Sequence, residues 1–151
     1  MSKRKYVFET QDKILRYKFP THINDIVIPR EEASSSECFM VLIEKDGALP
    51  PHKHEDCEQL YYILEGEGRL EVRLDGEEDT EVFAIHPNQV VHIPPNTWHR
   101  VFALSDNGIK YFCVDSFPNG FDPAEPTCES HVKATVAQRG WDFEKIREDR
   151  R

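Results

Sequence analysis

Between Ile23 and Asp115 the chain runs in short apolar or alternating segments, each closed by turn residues, and no convincing helix lies between them. "INDIVIP" predicts a strand that ends at Pro29. "CFMVLIE" predicts a second, apolar without interruption and so expected to be covered on both faces. "QLYYILE" is a third. "GRLEVRLDG" alternates: Leu70, Val72 and Leu74 point one way, Arg69, Glu71 and Arg73 the other, and Asp75-Gly76 turns the chain. "EVFAI", "VVHIP", "HRVFAL" and "IKYFCVD" follow, with Asp106-Asn107-Gly108 turning between the last two. About eight short strands with tight turns predict an all-β antiparallel sandwich or barrel.

The ends differ from this middle. Residues 1–22 read as an N-terminal arm, 23–116 as the barrel, and 117–151 as a C-terminal extension. In that extension "DPAEPTCES" reads as a Pro-rich loop, and "WDFEKIREDR" has helical composition with Trp141 and Ile146 as anchors. A short C-terminal helix is therefore expected over Trp141 to Arg150, covering an open barrel end or packing on a partner chain.

Composition narrows the partners. The 151 residues suit one domain, long enough to bury a core without disulfides. Twenty-eight acidic residues against nineteen Lys and Arg give a net charge of -9, which argues against nucleic acid as a partner. The mixed-sign "EKIREDRR" reads as a solvated helix end. The basic start, "MSKRKYVFET", has no apolar run behind it, so no signal peptide is expected, and "FMVLI" is far too short to span a bilayer. A cytoplasmic protein with no membrane partner is the expectation. Cys38, Cys57, Cys113 and Cys128 form no CxxC pair and are expected to be free thiols.

The chemistry concentrates in "LPPHKHEDCEQLYYILEGEG". On a strand, His52 and His54 share a face and can grip one metal ion; in isolation they also read as two surface histidines in a Pro-rich turn. Glu55, Glu58 and Gln59 offer oxygen donors just beyond them.

Together with "HPNQVVHIPPNTWHRVFA", this stretch resembles the two motifs of the cupin superfamily. The first motif is a Gly, His-x-His, three or four residues, an acidic ligand, six residues and a Gly; here Gly47 stands one residue closer to His52 than usual, and Gly66 closes the motif. The second is Pro-x-Gly, two residues and His; Pro94 to His99 matches it, with Asn96 where Gly is typical, a mild departure because Asn tolerates positive φ. The resemblance covers about residues 37 to 116. It implies a cupin-type antiparallel β-barrel (a double-stranded β-helix, or jelly roll) with a metal in its mouth. It also implies His99 as a third ligand beside His52 and His54. His92 reads as an ordinary strand histidine, His86 as a turn residue, and His22 and His131 have no special claim.

The motif spacing then bears on the fourth ligand. Four residues separate Gln59 from His54 and six separate it from Gly66, so Gln59 satisfies both spacings. Glu58 satisfies only the first and would need a bulge, and Glu55 satisfies neither, so Gln59 is favoured with Glu58 as the alternative. Four neutral ligands would leave a divalent ion (Zn, Mn, Fe, Ni or Co) with its full charge, suited to an anionic substrate and to Lewis-acid chemistry. Parity puts Tyr61 and Ile63 on the face of Gln59, which makes Tyr61 a candidate general acid or base, with a core aromatic as the simpler reading. Arg69, Arg73 and Arg100 are candidate anion anchors that parity does not place.

The expected function is a metal-dependent enzyme acting on a small polar anionic metabolite, of isomerase or lyase type. A metal-dependent dioxygenase and a non-enzymatic sugar- or acid-binding module are the alternatives. "CFMVLI" and "YYIL", apolar on both faces, further predict a homodimer.

Overall fold

The computed structural model describes residues 4–151, so the first three residues of the expected arm lie outside it. The chain forms β1 (Leu15–Lys18), β2 (Ile23–Ile28), β3 (Ser36–Ile43), β4 (Glu58–Glu65), β5 (Gly68–Leu74), β6 (Glu81–Ile85), β7 (Val90–Ile93), β8 (Thr97–Ala103) and β9 (Ile109–Ser116). Helix α1 (Cys128–Arg139), a single turn α2 (Phe143–Ile146) and β10 (Arg147–Asp149) complete it. Every strand expected between Ile23 and Asp115 is present within two residues of its expected bounds. Two antiparallel sheets face each other, one in the order β10-β1-β2-β3-β9-β4-β7 and the other β6-β5-β8. This is the two-sheet, jelly-roll architecture.

Alternation within strands builds the space between the sheets. Val41, Ile63, Val101, Ile109 and Tyr111 turn inward and are buried, each such aliphatic contributing roughly 1.5–3 kcal/mol when removed from water. On β4 the inward residues are Gln59, Tyr61 and Ile63, while Leu60, Tyr62 and Leu64 face out. Gly66 holds the end of β4: its φ is +81°, and a Cβ there would stand 2.1 Å from the Gly108 carbonyl oxygen. Only glycine fits that approach.

The C-terminal extension departs from expectation. The long helix lies earlier, at Cys128–Arg139, and Trp141 to Arg150 holds only α2 and β10. The helix starts where Thr127 and Ser130 form a reciprocal capping box, and it stops at Gly140 in the left-handed conformation (φ 70°). The C-terminal charges that read as a solvated helix end instead form β10, which pairs with β1 and lengthens the large sheet. Helix α1 buries Cys128, Val132 and Val136 against Tyr17, Phe19 and Ile146. That second core seats the helix across one end of the sheets. All four cysteines are buried and free. No helix among the described residues is long and apolar enough to cross a membrane.

Candidate metal centre

The segment after β3 runs back along β8, and there His52 and His99 face each other as a bridge. His52 N–H donates to the His99 carbonyl at 3.2 Å and His99 N–H to the His52 carbonyl at 2.9 Å. Directly opposed residues project to the same face, and the two rings stand 4.3 Å apart. His54 joins from two positions on, 5.2 Å from the His52 ring and 5.6 Å from that of His99. Its carbonyl accepts from the Asn96 N–H at 2.7 Å, and Asn96 takes φ 60°. The turn before His99 is thereby tied to the segment that carries the other two histidines. The ring nitrogens of His52, His54 and His99 come within 4.8 Å of one another.

Tautomers make this cluster suited to a cation. His99 Nδ1 lies 2.8 Å from the Thr97 carbonyl and His52 Nδ1 lies 2.9 Å from the Pro50 carbonyl. A carbonyl only accepts, so each Nδ1 carries the hydrogen and each Nε2 keeps its lone pair. His99 Nε2 is buried and has no hydrogen-bond partner among the described residues. Burial pushes the pKa of His54 down to about 3 and that of His99 to about 4, and it lowers His52 as well. All three are neutral at neutral pH, as ligation requires. Three uncharged imidazoles with converging lone pairs could hold a divalent transition metal.

Of the three oxygen donors, Gln59 alone lies inside. Its amide Nε2 donates to Asp115 Oδ1 at 2.9 Å, and its Oε1 accepts from the Tyr61 hydroxyl at 2.6 Å. Glu58 points the opposite way and meets His92 Nε2 at 2.9 Å on the surface. Glu55 is exposed, 4.0 Å from Lys53. Tyr61 is buried, its ring tilted against Tyr111 at 4.6 Å and 6.5 Å from that of His99. Burial raises its pKa well above the ordinary value, so its hydroxyl keeps its proton.

Several residues of the cavity escaped sequence reasoning. Asp115 borders it, and burial together with the nearby Glu37 carboxylate pushes its pKa up. Strand parity on β9, with Ile109, Tyr111 and Cys113 inward, is the signal that places it there. Glu37 itself is held by the buried Arg30 guanidinium at 2.9 and 3.0 Å. His22 and His131, which have no motif, also line the cavity, His22 stacked 4.7 Å from Phe19 and His131 paired with Glu125 at 2.7 Å. Of the three arginines singled out earlier, Arg100 borders the cavity but pairs with Glu71, while Arg69, also beside Glu71, and Arg73, on the Glu77 carbonyl, lie outside it. Helix α1 forms one wall of the chamber, whose volume is about 290 Å³, near the lower bound of roughly 300 Å³ for small-molecule sites.

Comparisons with known proteins agree with this architecture. An uncharacterized protein of Methanocaldococcus jannaschii is 31% identical over 74 residues, 49% of this chain and 54% of its own length. The match thus spans about half of that curated relative. Among solved structures, KdgF from Halomonas sp. superimposes with a TM-score of 0.53 at 23% identity, over 67% of this chain and 84% of its own. An RmlC-like cupin with a double-stranded β-helix fold from M. jannaschii gives 0.56 at 16%, over 77% and 94%. The Drosophila melanogaster CENP-C cupin domain gives 0.61 at 12%, over 71% and 75%. At such identities these likenesses carry the fold alone. The cupin-domain family model matches residues 39–115, just over half of the chain and the part that holds all three histidines, Gln59 and Tyr61; this chain belongs to the cupin family.

Proposed function

We propose that the protein is a metal-dependent enzyme that acts on a small anionic metabolite by Lewis-acid chemistry of the isomerase or lyase type. The observation that carries this reading is the uncharged donor set: His52, His54 and His99, with the Gln59 amide turned to the same interior. A divalent ion held by them would keep its positive charge and polarise a substrate oxygen.

The chain's own residues supply the rest. Tyr61 holds a proton at its hydroxyl, deep in the chamber, and is placed to donate it rather than to abstract one. Asp115 accepts from the Gln59 amide and so fixes which end of that side chain faces Tyr61. Helix α1 and the two sheets together wall the chamber.

The test is solvent exchange. Protein loaded in turn with zinc, manganese, nickel, cobalt or iron is incubated in deuterium oxide with a panel of small keto- and hydroxy-carboxylates. Proton NMR then follows loss of the C–H signal next to the carbonyl. Exchange without oxygen consumption supports the proposal. Substrate-dependent oxygen uptake by the iron-loaded protein would sink it in favour of dioxygenase chemistry. Tight binding with no exchange for any metal would leave a binding module.

We also propose that the protein is a homodimer, paired through the outer face of β4, where Leu60, Tyr62 and Leu64 are about 40% exposed.

A further inference from the structure

Helix α1 lies outside the span matched by the family model, yet it supplies one wall of the chamber. His131, Val132, Thr135, Gln138 and Arg139 recur at helical spacing and line the cavity that also holds His52, His54 and His99. Arg139 stands in the last turn. Gly140 then takes the left-handed conformation, and Trp141 folds back with its N–H on the Val136 carbonyl at 2.9 Å. That turn places the Trp141 ring 5.4 Å from the Arg139 guanidinium and 5.7 Å from the Phe19 ring. Stacking holds a guanidinium by its face and leaves its N–H edge free for an anion.

That edge has no taker among the described residues. Among the described residues no carboxylate lies within ion-pair distance of Arg139, although the chain carries 28 acidic residues. The other lysine and arginine that line the chamber are committed: Lys53 to Asp75 at 3.0 Å and Arg100 to Glu71 at 3.3 Å. Arg139 and the histidine cluster border the same cavity, Arg139 from the helix wall and His52, His54 and His99 from the β8 side.

The geometry points to Arg139 as the anchor for a second anionic group on the substrate, a carboxylate or a phosphate, at the end remote from the histidines. The substrate class is then a short dianion, one end at the His52, His54 and His99 cluster and the other on the Arg139 fork. A guanidinium grips either oxyanion in a bidentate fashion. This inference rests on the metal-site reading above, which assigns the near end.

The experiment uses the full chain with Trp98→Phe, so that Trp141 is the one remaining indole and reports on its neighbour Arg139. Zinc binding is first measured by calorimetry. Acetate, malonate, succinate and 2-phosphoglycolate are then titrated against apo and zinc-loaded protein, with Trp141 fluorescence as readout. In the zinc-loaded protein at least one dianion should bind about tenfold or more tightly than acetate. Arg139→Gln should abolish that preference while leaving zinc affinity and acetate binding unchanged, and Arg139→Lys should restore part of it. Whether malonate and succinate or phosphoglycolate binds best names the group. A dianion preference that survives in Arg139→Gln, or its absence from the parent protein, overturns the inference. Failure of zinc to bind overturns the metal reading instead. The apo titration then decides alone: an Arg139-dependent response to a dianion upholds the anchor, and no response refutes it.

Discussion

The hydroxyl of Tyr61 donates to the side-chain carbonyl of Gln59 at 2.6 Å, and the amide of the same Gln59 donates to Asp115 at 2.9 Å. One side chain thus joins a proton donor to a buried acid, two residues along a strand from its partner tyrosine. Replacing Tyr61 by Phe removes the proton and leaves the ring. The expected outcome is metal content equal to the parent, a loss of about 1 kcal/mol in stability from the missing hydrogen bond, and a fall in turnover of roughly 10²–10⁴-fold. Metal analysis beside the deuterium-exchange assay separates these effects. Unchanged exchange would return Tyr61 to a purely structural role.

The inward turn of Gln59 and outward turn of Glu58 make opposite predictions for two alanine variants. Gln59→Ala should weaken metal binding by more than the roughly 10–100-fold typical of an outer-shell partner. Glu58→Ala should retain parent affinity and only release His92 at the surface. Calorimetric titration of zinc into the apo variants gives the comparison. Loss of zinc in Glu58→Ala alone would require β4 to shift by one residue, which Gly66 opposes.

That opposition is itself measurable. Gly66→Ala places a Cβ 2.1 Å from the Gly108 carbonyl at φ +81°. Left-handed strain and overpacking together should cost roughly 2–4 kcal/mol, read as a lowered urea midpoint at unchanged slope. A midpoint within experimental error of the parent would show that the β4 turn relaxes freely.

Much of the site was legible because period-two alternation and two spaced motifs determine it. His52, His54 and His99 share a face once β8 runs back along the preceding segment, and Gly66 ties the register of β4 to the turn at Gly108. Parity on "IKYFCVD" puts Asp115 on the face of Tyr111 and Cys113, but its partners Gln59 and Glu37 come from other strands, so only tertiary structure shows what a buried acid meets there. Helix α1 was missed for a different reason. Its start signal is the pair Thr127 and Ser130, set at the end of a Pro-rich stretch. A Ser in the third helical position closes the box less conspicuously than Glu or Gln. Arg139 gains meaning only from tertiary placement: on sequence it is a cation near a helix end, where the backbone dipole favours one in any case.

Asp115 makes stability depend on pH in a direction that can be worked out. Burial and the adjacent Glu37 raise its pKa to about 8, against 3.8 for the ordinary group. Below about pH 4 both folded and unfolded chains carry the proton. Between about pH 4 and 8 the unfolded chain releases it while the folded chain holds it, so this contribution declines as pH rises and levels off beyond. The buried histidines act oppositely, but only below 6.5, where their unfolded forms begin to protonate. From about pH 6.5 to 8.5 the carboxyl effect therefore stands clear of theirs. Asp115→Asn keeps an oxygen to accept from Gln59 and cannot ionise. In metal-free protein its denaturation free energy should fall less steeply than the parent's across that window. Parallel slopes would place the ionised form of Asp115 in the folded state.

The outer face of β4 carries the last expectation. Leu60, Tyr62 and Leu64 project there in a row, 40%, 41% and 38% exposed, with Val90 on the neighbouring β7 at 62%. Tyr62 and Val90 are direct cross-strand partners, and Phe112 flanks Tyr62 on the other side. The apolar row is therefore continuous across three adjacent strands. Monomers rarely leave contiguous apolar patches of more than a few hundred Å² in water, and a twofold pairing covers the same patch on both copies at once. Light scattering at micromolar concentration should give twice the 17.6 kDa chain mass. Tyr62→Glu would bury two like charges against each other across the twofold and should yield monomers. Its zinc affinity should match the parent's, because Tyr62 points away from the interior that holds Gln59 and Tyr61. A parent protein that scatters as a monomer removes the dimer, and the exposed row then has to be explained by a different partner.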